Sequence, residues 1–329
     1  MNSPVEVSIC VITYNHSKYI RKCLDSMLRQ KTSFRYEIVI RDDVSTDNTQ
    51  QILEEYERKY PNIIRVLKSK VNLGMNTNFM TVVREARGQF ISVCEGDDYF
   101  IDNDKLQTQF QYSKKYKDVN FFIHKVNLDI NSKVVDSCES SRFFGSDVEA
   151  RFTIKDIMTF KGQFAGTSSY FIKAEKLKSL PKIYETAPVG DLFAEVIACG
   201  NEGGVFIPKA MSCYRVECAG SWSEKVREYT PEQWLEFVKN MKPMTFYLIN
   251  EYPNHKQYFI QRLDWLNYVS SISYLELGQY GEFKKHITPT SKNYISIVHK
   301  VLDSIKFSHL LSNVTLRIYR YSRKFRWLA

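Results

Sequence analysis

The sequence predicts an α/β fold: a mixed, mainly parallel β-sheet with helices on both faces, followed by a helical C-terminal extension. Two observations predict the sheet. In the first 100 residues, short runs rich in β-branched residues alternate with segments of helical spacing, and polar clusters follow the apolar runs. The extension is predicted by a change to long helical patterns after Thr230. Strands that alternate with helices in this way are typical of parallel sheets.

The predicted elements of the first part follow one another closely. The strands are Val7–Tyr14, Tyr36–Asp42, Ile63–Lys68 and Gln89–Cys94. The helices between them are Tyr19–Gln30, Asp47–Tyr60 and Asn76–Gly88. Asp47 is a suitable N-cap for the helix that it begins. Because ligands bind beyond the carboxyl ends of strands in such sheets, the turns after these strands are candidate functional segments.

The later part of the chain has a different pattern. Val119–Ser137 alternates like a hairpin whose turn is Asp129–Lys133. Two long helices are predicted at Pro231–Tyr252 and Lys256–Gly278, where Pro231 suits the first helical position and Gly278 suits a C-cap. We therefore predict two domains, residues 1–225 with the sheet and residues 226–329 with helices. The aromatic residues of the second domain are interpreted as helix packing.

Composition restricts the class of protein. The 329 residues are 43% hydrophobic and 25% charged, as in ordinary globular proteins. Seven cysteines without a CxxC pair argue against a disulfide framework or a zinc site, and they indicate reduced thiols in the cytoplasm. His16 and His124 lack ligand residues at metal spacing and are expected to be structural. No secretory leader and no uncharged apolar stretch of the ~20 residues that span a bilayer is recognisable.

Charge is concentrated at the C-terminus. The formal net charge is +9, and residues 304–329 carry six basic residues and no acidic one. These basic residues are Lys306, Arg317, Arg320, Arg323, Lys324 and Arg326. Interleaved basic and aromatic residues suit an anionic membrane surface, and a solvated basic helix face is the alternative. No nucleic-acid-binding pattern is present, so nucleic acid is not expected as a partner.

Three polar clusters follow predicted strands and should meet at one edge of the sheet. They are Thr13–Asn15, Asp42–Asp47 and Glu95–Asp98. Closely spaced carboxylates raise one another's pKa unless a cation neutralises them, and oxygen ligands favour Mg²⁺ or Mn²⁺. Such an ion could hold a diphosphate. A P-loop and a G-x-G-x-x-G fingerprint are both absent, which argues against a P-loop NTPase and a typical dinucleotide-binding protein.

Four segments, in order, resemble the family 2 glycosyltransferases with the GT-A fold. They are "VSICVITYNHSKYIRKCLDSMLRQ" from Val7, "YEIVIRDDVSTDNT" from Tyr36, "VNLGMNTNFMTVVREARGQFISVCEGDDYF" from Val71 and "PVGDLFAEVIACGNEGGVFIPKAMSCYRVECAGSWS" from Pro188. The third runs into a DXD-type metal motif, and the fourth is similar to the acceptor-side segment. The resemblance covers about two thirds of the chain and excludes residues 226–329.

The resemblance implies a set of donor-binding residues. These are Thr13, Tyr14, Asn15, Asp43, Asn72, Gly74, Asp97 and Arg215. Tyr14 and Asp43 would hold the nucleotide base, with Asp43 accepting the base N–H. Asp97 would face the ribose or the metal, and the metal ligand would be Asp97 or Asp98. Arg215 would meet the diphosphate in a bidentate manner.

The resemblance also implies that Asp191 is the catalytic base. Asp191 opens the helical run "DLFAEVIACG", and a helix N-terminus would lower its pKa and keep the carboxylate ionised. Two alternatives remain open: Asp191 could be an N-cap, or Glu195 could be the base. The chain departs from the family pattern at Ile12, Glu95 and Glu217, and the last two departures leave the roles of those carboxylates open.

The implied function is that of a metal-dependent, inverting glycosyltransferase. It would use Mn²⁺ or Mg²⁺ and a UDP-sugar to extend a bacterial surface polysaccharide or a lipid-linked glycan, in the cytoplasm or at the inner membrane face. A sugar nucleotidyltransferase is one alternative, but it would need a glycine-rich basic loop after the first strand. A non-catalytic sugar-binding or scaffold protein is another, and the presence of Asp97, Asp98 and Asp191 argues against it.

Overall fold

The computed structural model describes residues 4–136, 147–160, 163–216, 226 and 228–326, with side chains as far as Arg317. The chain forms two compact units, Met1–Ala219 and Gly220–Ala329. The domain boundary predicted at residue 225 lies outside the described residues.

Unit 1 is built on one sheet. Its strands are β1 Val5–Thr13, β2 Arg35–Asp42, β3 Ile64–Leu67, β4 Phe90–Glu95, β5 Tyr99–Phe100, β6 Phe121–Ile130, β7 Lys133–Val135, β8 Ala150–Phe152, β9 Phe171–Lys173 and β10 Gly204–Arg215. Its α-helices are α1 Ile20–Leu28, α2 Thr49–Lys59, α3 Met75–Glu85, α4 Lys105–Lys115, α5 Ile154–Thr159, α6 Ala174–Lys178 and α7 Asp191–Cys199. The strand order is β3-β2-β1-β4-β9-β6-β10-β5, with β7 beside β6 and β8 beside β10.

The parallel half of the sheet consists of β3, β2, β1 and β4. All four predicted strands and all three predicted helices of this region are present. The central residues of β1 are buried, as expected for a strand covered on both faces. One detail of the prediction was wrong, because the N-cap of α2 is Asn48 and not Asp47. Asp47 lies one residue earlier and accepts a hydrogen bond from the Thr49 backbone N–H at 2.9 Å.

The other half of the sheet is mixed. β9 runs antiparallel to both β4 and β6, and β10 runs parallel to β6. The predicted hairpin is confirmed: β6 and β7 are antiparallel, and Asn131 and Ser132 at the turn have φ of 50° and 65°. Short hairpin turns need such positive φ values because they match the twist of the strands. The parallel register places Arg215 at the end of β10 opposite Asp129 of β6.

A buried lysine ties α4 to the sheet. Lys105 is 0% exposed, and its Nζ donates to Ser92 Oγ at 2.9 Å and to Gln109 Oε1 at 2.8 Å. Burial lowers the pKa of Lys105 to about 7. These bonds hold the start of α4 beside β4, the strand that leads into the acidic turn.

Unit 2 is helical. Its helices are α8 Pro231–Glu251, α9 Lys256–Glu276, α10 Tyr280–His286, α11 Ile297–Ser304 and α12 His309–Arg326. Pro231 occupies the first helical position, as predicted, and Thr230 forms a capping box with Gln233. Gly278, with φ of 72°, lies one residue beyond the C-cap of α9.

The core of unit 2 is aromatic and aliphatic. It contains Tyr268, Leu275, Phe283, Ile287, Leu302 and Leu316. Phe237 and Phe259 are also buried, which agrees with the interpretation of the aromatic residues as packing. Among the helices of the described residues, none is both long enough and apolar enough to cross a bilayer.

Candidate active site

The three polar clusters meet at one edge of the sheet, as predicted. The register of β1 places Thr13 beside Asp42 of β2 and Ile12 beside Glu95 of β4. Backbone hydrogen bonds continue beyond the strands: Asp43 donates to the Thr13 carbonyl at 2.9 Å, and Gly96 donates to the Ile12 carbonyl at 3.0 Å. The turns after β1, β2 and β4 are therefore neighbours.

The turns after β1 and β2 are bonded to each other. The Asn15 backbone N–H donates to Ser45 Oγ at 2.8 Å, and Asn15 Oδ1 accepts from the Thr46 backbone N–H at 2.7 Å. Asn15 and Val44 both have positive φ, which is unusual for a β-branched residue such as Val44. Tyr14, between β1 and these contacts, is 42% exposed. The turn after β1 thus presents an aromatic ring from a braced backbone.

Asp43 orders the loop that precedes α3. Its carboxylate accepts from the backbone N–H groups of Leu73 and Gly74, each at 2.8 Å, and it pairs with Arg41 at 2.8 Å. Asn72 Oδ1 also accepts from the Gly74 N–H, at 3.2 Å. Gly74 has φ of 77°, a backbone conformation that glycine adopts at little cost. The predicted residues Asp43, Asn72 and Gly74 therefore lie together.

Gly96 allows the acidic turn to lie against β1. A Cβ atom at this position would lie 2.5 Å from Thr13 Oγ1 and 2.9 Å from His16 Nδ1. Both of those polar atoms are buried and have no hydrogen-bond partner among the described residues. His16 was expected to be structural, and its Nε2 lies 3.7 Å from Asp97 Oδ2. The turn is therefore packed closely around polar atoms with unused bonding capacity.

Asp97 and Asp98 differ in their surroundings. Asp98 is 1% exposed, and its Oδ1 accepts from the Arg215 backbone N–H at 2.9 Å. The Asp97 side chain is 14% exposed. Asp97 Oδ1 and Asp98 Oδ2 are buried without a partner among the described residues. Burial, followed by the charge of Asp97, raises the pKa of Asp98 above its usual range.

Arg215 braces the acidic turn. Its Nε donates to the Asp97 carbonyl at 3.0 Å, and its Nη1 donates to Asp129 Oδ2 at 3.0 Å. Asp129 also accepts from the Tyr99 hydroxyl at 3.0 Å and lies 3.6 Å from Lys22 Nζ. Sequence reasoning missed Asp129 and Lys22. The pairing of Asp129 with Arg215 depends on the register of β6 and β10, which no local pattern encodes.

A pocket of about 370 Å³ of empty volume, open to solvent, adjoins this edge. It is lined by Ile12, Met75, Asn76, Phe79, Val93, Glu95, Thr167, Tyr170, Tyr184, Asp191 and Ala194. The predicted base Asp191 is thus near Glu95, which ends β4. Gly190 permits this arrangement, because a Cβ there would lie 2.4 Å from both Asn76 Oδ1 and the Tyr184 hydroxyl.

Asp191 begins α7, and the N-cap of that helix is Gly190, so the alternative that Asp191 is an N-cap is wrong. The expectation of a lowered pKa is also wrong. Burial raises the pKa of Asp191 to about 6, because removal from water disfavours the charged carboxylate. Burial, together with the charges of Asp97 and Asp191, raises the pKa of Glu95 to about 8.

Glu195, the alternative base, lies deeper in the unit. It is 1% exposed, and its Oε1 accepts from the Tyr170 hydroxyl at 2.7 Å and from the Ala165 backbone N–H at 3.2 Å. Burial raises the pKa of Glu195 to about 8. Glu217, whose role the sequence leaves open, lies outside the described residues.

The acidic turn has donor atoms suited to a hard cation, in small number. In the described part of the chain, no group of three or more histidine, cysteine, aspartate or glutamate residues forms a metal site. The unpartnered oxygens of Asp97 and Asp98 are donor atoms of the kind that Mg²⁺ and Mn²⁺ prefer.

Comparison with solved structures shows the fold. The S. aureus TarS 1-349 structure in complex with UDP has a TM-score of 0.66 at 18% identity, covering 97% of this chain and 92% of that chain. The mannosyltransferase PcManGT from Pyrobaculum calidifontis, in complex with GDP-Man and Mn²⁺, has a TM-score of 0.52 at 14% identity, covering 96% and 89%. The predicted GT-A fold is therefore confirmed.

Sequence relatives match shorter regions. An uncharacterized protein of Mycobacterium tuberculosis is 38% identical over 131 residues, which are 40% of this chain and 38% of that protein. A poly(ribitol-phosphate) beta-glucosyltransferase of Bacillus spizizenii is 31% identical over 112 residues, which are 34% of this chain and 18% of that enzyme. The model of the family described as glycosyl transferase family 2 matches residues 8–172, half of the chain. With this match and the GT-A fold, the chain belongs to the family 2 glycosyltransferases.

Proposed function

We propose that this chain transfers a sugar from a UDP-sugar to a hydroxyl group of a glycan, with inversion at the anomeric carbon and with Mn²⁺ or Mg²⁺ as cofactor. The observation that carries the proposal is that two different acidic sites lie next to each other. Asp97 and Asp98 have unpartnered oxygens in a turn braced by Arg215, and Asp191 lines a pocket next to the same strand end.

The nucleotide would bind at the turns after β1 and β2. Tyr14 offers an exposed aromatic face, and Asp43 together with Asn72 and Gly74 forms a preorganised polar wall. In this assignment Thr13 and Asn15 shape the floor, and Asp43 accepts the base N–H. A uracil base is consistent with these roles, and the solved TarS relative was crystallised with UDP.

Of the two metal-ligand candidates, we assign the ligand role to Asp97. Asp98 is almost fully enclosed, and one of its oxygens already accepts from the Arg215 backbone. Asp97 is more accessible, and Arg215 holds its carbonyl in place. A bound divalent ion would stabilise the negative charge that develops on the departing diphosphate. Arg215 would then act by fixing Asp97 and by adding positive charge at the same place.

Asp191 would be the general base. It would take the proton of the acceptor hydroxyl as that oxygen attacks the anomeric carbon from the side opposite the diphosphate, and this attack inverts the configuration. A pKa of about 6 leaves the carboxylate ionised at neutral pH while keeping it a stronger base than an ordinary aspartate. Glu195 is less suited, because its carboxyl group is enclosed and hydrogen-bonded inside the unit.

For the acceptor we propose a surface polysaccharide or a lipid-linked glycan, reached at the inner face of the membrane. A relative that matches part of this chain is named as a poly(ribitol-phosphate) beta-glucosyltransferase, which supports a polymer as the class of acceptor. The excess of basic residues after Ser304 supports a location near anionic lipid.

Calorimetric titration of the full chain with UDP tests the donor and the metal together. We expect UDP to bind in the presence of Mn²⁺ and to lose at least about tenfold in affinity with EDTA, because a diphosphate needs the cation beside Asp97. GDP serves as the matched control and should bind more weakly. Equal UDP affinity with and without EDTA would contradict the metal assignment, and tighter binding of GDP would contradict the choice of UDP.

A further inference from the structure

Unit 2 carries an exposed apolar surface that its own core does not use. We give the name apolar face of α11 and α12 to six exposed residues: Ile297 and Val301 of α11, Phe307 between the two helices, and Leu310, Leu311 and Val314 of α12. Ile297 is 83% exposed, Phe307 82% and Leu310 73%. Exposed large apolar residues are ordinary when they occur singly, but a concentration of them marks an interaction site.

Helix geometry separates this face from the core. Leu316 of α12 is 4% exposed and belongs to the core of unit 2, and Ser312, one turn earlier, is 0% exposed. Leu310 and Val314 are four residues apart, so they share a face, and that face points away from Ser312 and Leu316. In α11, Ile297 and Val301 have the same spacing while Leu302 is buried. Each helix therefore has one side in the core and a second apolar side in solvent.

The sequence continues this pattern. Ile318, Tyr321 and Phe325 follow Val314 at four, seven and eleven residues, which is the spacing of one helix face. The backbone of α12 is helical as far as Arg326. Apolar residues at helical spacing within a basic segment are typical of helices that lie in the plane of a membrane surface.

Charge identifies the partner. Residues 304–329 contain six basic and no acidic residues, and Lys300 and Arg317 are both exposed. Two copies of this chain joined through the face would bring two such segments together, and their like charges would repel. An anionic lipid surface offers the opposite charge and an apolar layer at the same place.

We infer that the apolar face of α11 and α12 docks on anionic phospholipid, with its apolar side chains in the boundary between headgroups and acyl chains and its basic residues among the phosphates. The inference deepens the proposed function, since it supplies the means by which the enzyme would reach a membrane-held acceptor. It does not depend on the donor or on the chemistry of transfer.

Flotation of the full-length protein with phosphatidylcholine vesicles, with and without phosphatidylglycerol, tests the inference. We expect binding to vesicles that contain phosphatidylglycerol and weaker binding at high salt. The variant Leu310→Ser/Leu311→Ser/Val314→Ser should lower the partition coefficient at least about tenfold, because it removes three inserting side chains. Lys300→Gln/Arg317→Gln should lower the partition onto anionic vesicles by a smaller factor.

The matched control is Val134→Ser/Val148→Ser/Phe246→Ser. These three residues are 51%, 68% and 53% exposed, close to the 73%, 51% and 45% of the test set, and they lie outside the apolar face. The control should bind vesicles like the wild type, and thermal unfolding should show that all three variants are folded.

Equal vesicle binding by the test and control variants would overturn the inference. It would also be overturned if the wild type did not bind vesicles but formed a dimer by light scattering that the test variant could not form, since a second copy would then cover the face. UDP affinity, measured on the same samples, should be unchanged in every variant. If the wild-type protein did not bind UDP, that result would count against the proposed function and not against docking of the apolar face on phospholipid.

Discussion

The acidic turn and the pocket around Asp191 adjoin the end of the same strand, yet their environments are opposed. Asp97 and Asp98 are next to Arg215, and Lys22 and Asp129 extend this cluster of charges. The residues described as lining the pocket include no lysine or arginine, and they are mostly apolar or aromatic. The difference shows how one edge can serve two chemical roles. In the proposed reaction, cations would favour an anionic leaving group on one side, and an apolar wall would strengthen a carboxylate base on the other.

The largest expected effect comes from removing the proposed base, Asp191. We expect Asp191→Asn to lower turnover by about 10²-fold or more, the usual scale for loss of a general base. UDP affinity should stay within about threefold of the wild type, because the nucleotide would bind on the charged side. Steady-state kinetics and calorimetry measure the two quantities separately. Asp118→Asn, which alters an exposed ion pair with Arg151, is the control and should retain full turnover.

Near wild-type turnover by a folded Asp191→Asn enzyme would remove the base assignment. A parallel loss of UDP affinity would show that the two sides of the edge are not independent.

The acidic turn is tested by comparing substitutions of Asp97 and Asp98. Asp97→Asn should weaken Mn²⁺-dependent UDP binding by about 10–100-fold, the scale seen when groups that support a metal are lost. Asp98→Asn should affect UDP affinity less, since one Asp98 oxygen accepts from the Arg215 backbone. Titration of each variant with UDP at fixed Mn²⁺ gives the comparison. The reverse ranking of the two variants would move the ligand role to Asp98.

The pocket around Asp191 predicts a pH dependence of kcat/KM. The base acts in its ionised form, so kcat/KM should fall about tenfold per pH unit below the Asp191 pKa of about 6 and level off above it. Glu95 and Tyr184 face the same pocket, and burial raises the pKa of both, to about 8 for Glu95. They should therefore stay neutral across this range. A profile of kcat/KM that is flat from pH 5 to 7 would contradict the assignment.

The same raised pKa has a consequence for stability. The Asp191 carboxyl group binds its proton more tightly in the folded chain than in the unfolded chain. Its contribution to the free energy of unfolding is therefore most favourable below the unfolded pKa and is lost as pH rises through about 6. Asp191→Asn should therefore be more stable than the wild type at pH 7.5, by on the order of 1 kcal/mol. Urea unfolding measures the difference, and at pH 4 it should be much smaller.

The smallest expected effect concerns the loop held by Asp43. A Cβ at Gly74 would meet nothing within 4 Å, so Gly74→Ala changes only the cost of the backbone conformation at φ of 77°. At φ of 77° and ψ of 162° that cost is about 1–3 kcal/mol, because this region is open almost only to glycine, and a loop that relaxes should bind UDP a few-fold more weakly. Gly281→Ala is the matched control, because a Cβ there also meets nothing and no positive φ is involved. Equal UDP affinity in the two variants would show that the loop before α3 does not contribute to nucleotide binding.

Local patterns were enough to place much of the molecule. The four strands, the hairpin turn at Asn131 and Ser132 and the helix start at Asp191 all depend on neighbouring residues, and all are present. The Asp47 cap was misplaced by one residue, since Asp and Asn are both good caps and Asn48 is next to it. The candidate residues after β1, β2 and β4 converge because parallel strands end at a common edge.

The sequence by itself determined the alternation of strands and helices, the position of the carboxylates at strand and helix ends, and the excess of basic residues after Ser304. Only the tertiary structure decided which groups those carboxylates meet. Arg215 lies 86 residues from Asp129 in sequence and reaches it through the register of β6 and β10. The pKa of Asp191 likewise depends on burial among side chains from distant segments. It is therefore raised, whereas the position at a helix start alone predicts a lowered pKa. Periodicity and capping act within a few residues, whereas desolvation and charge act between whatever the fold brings together.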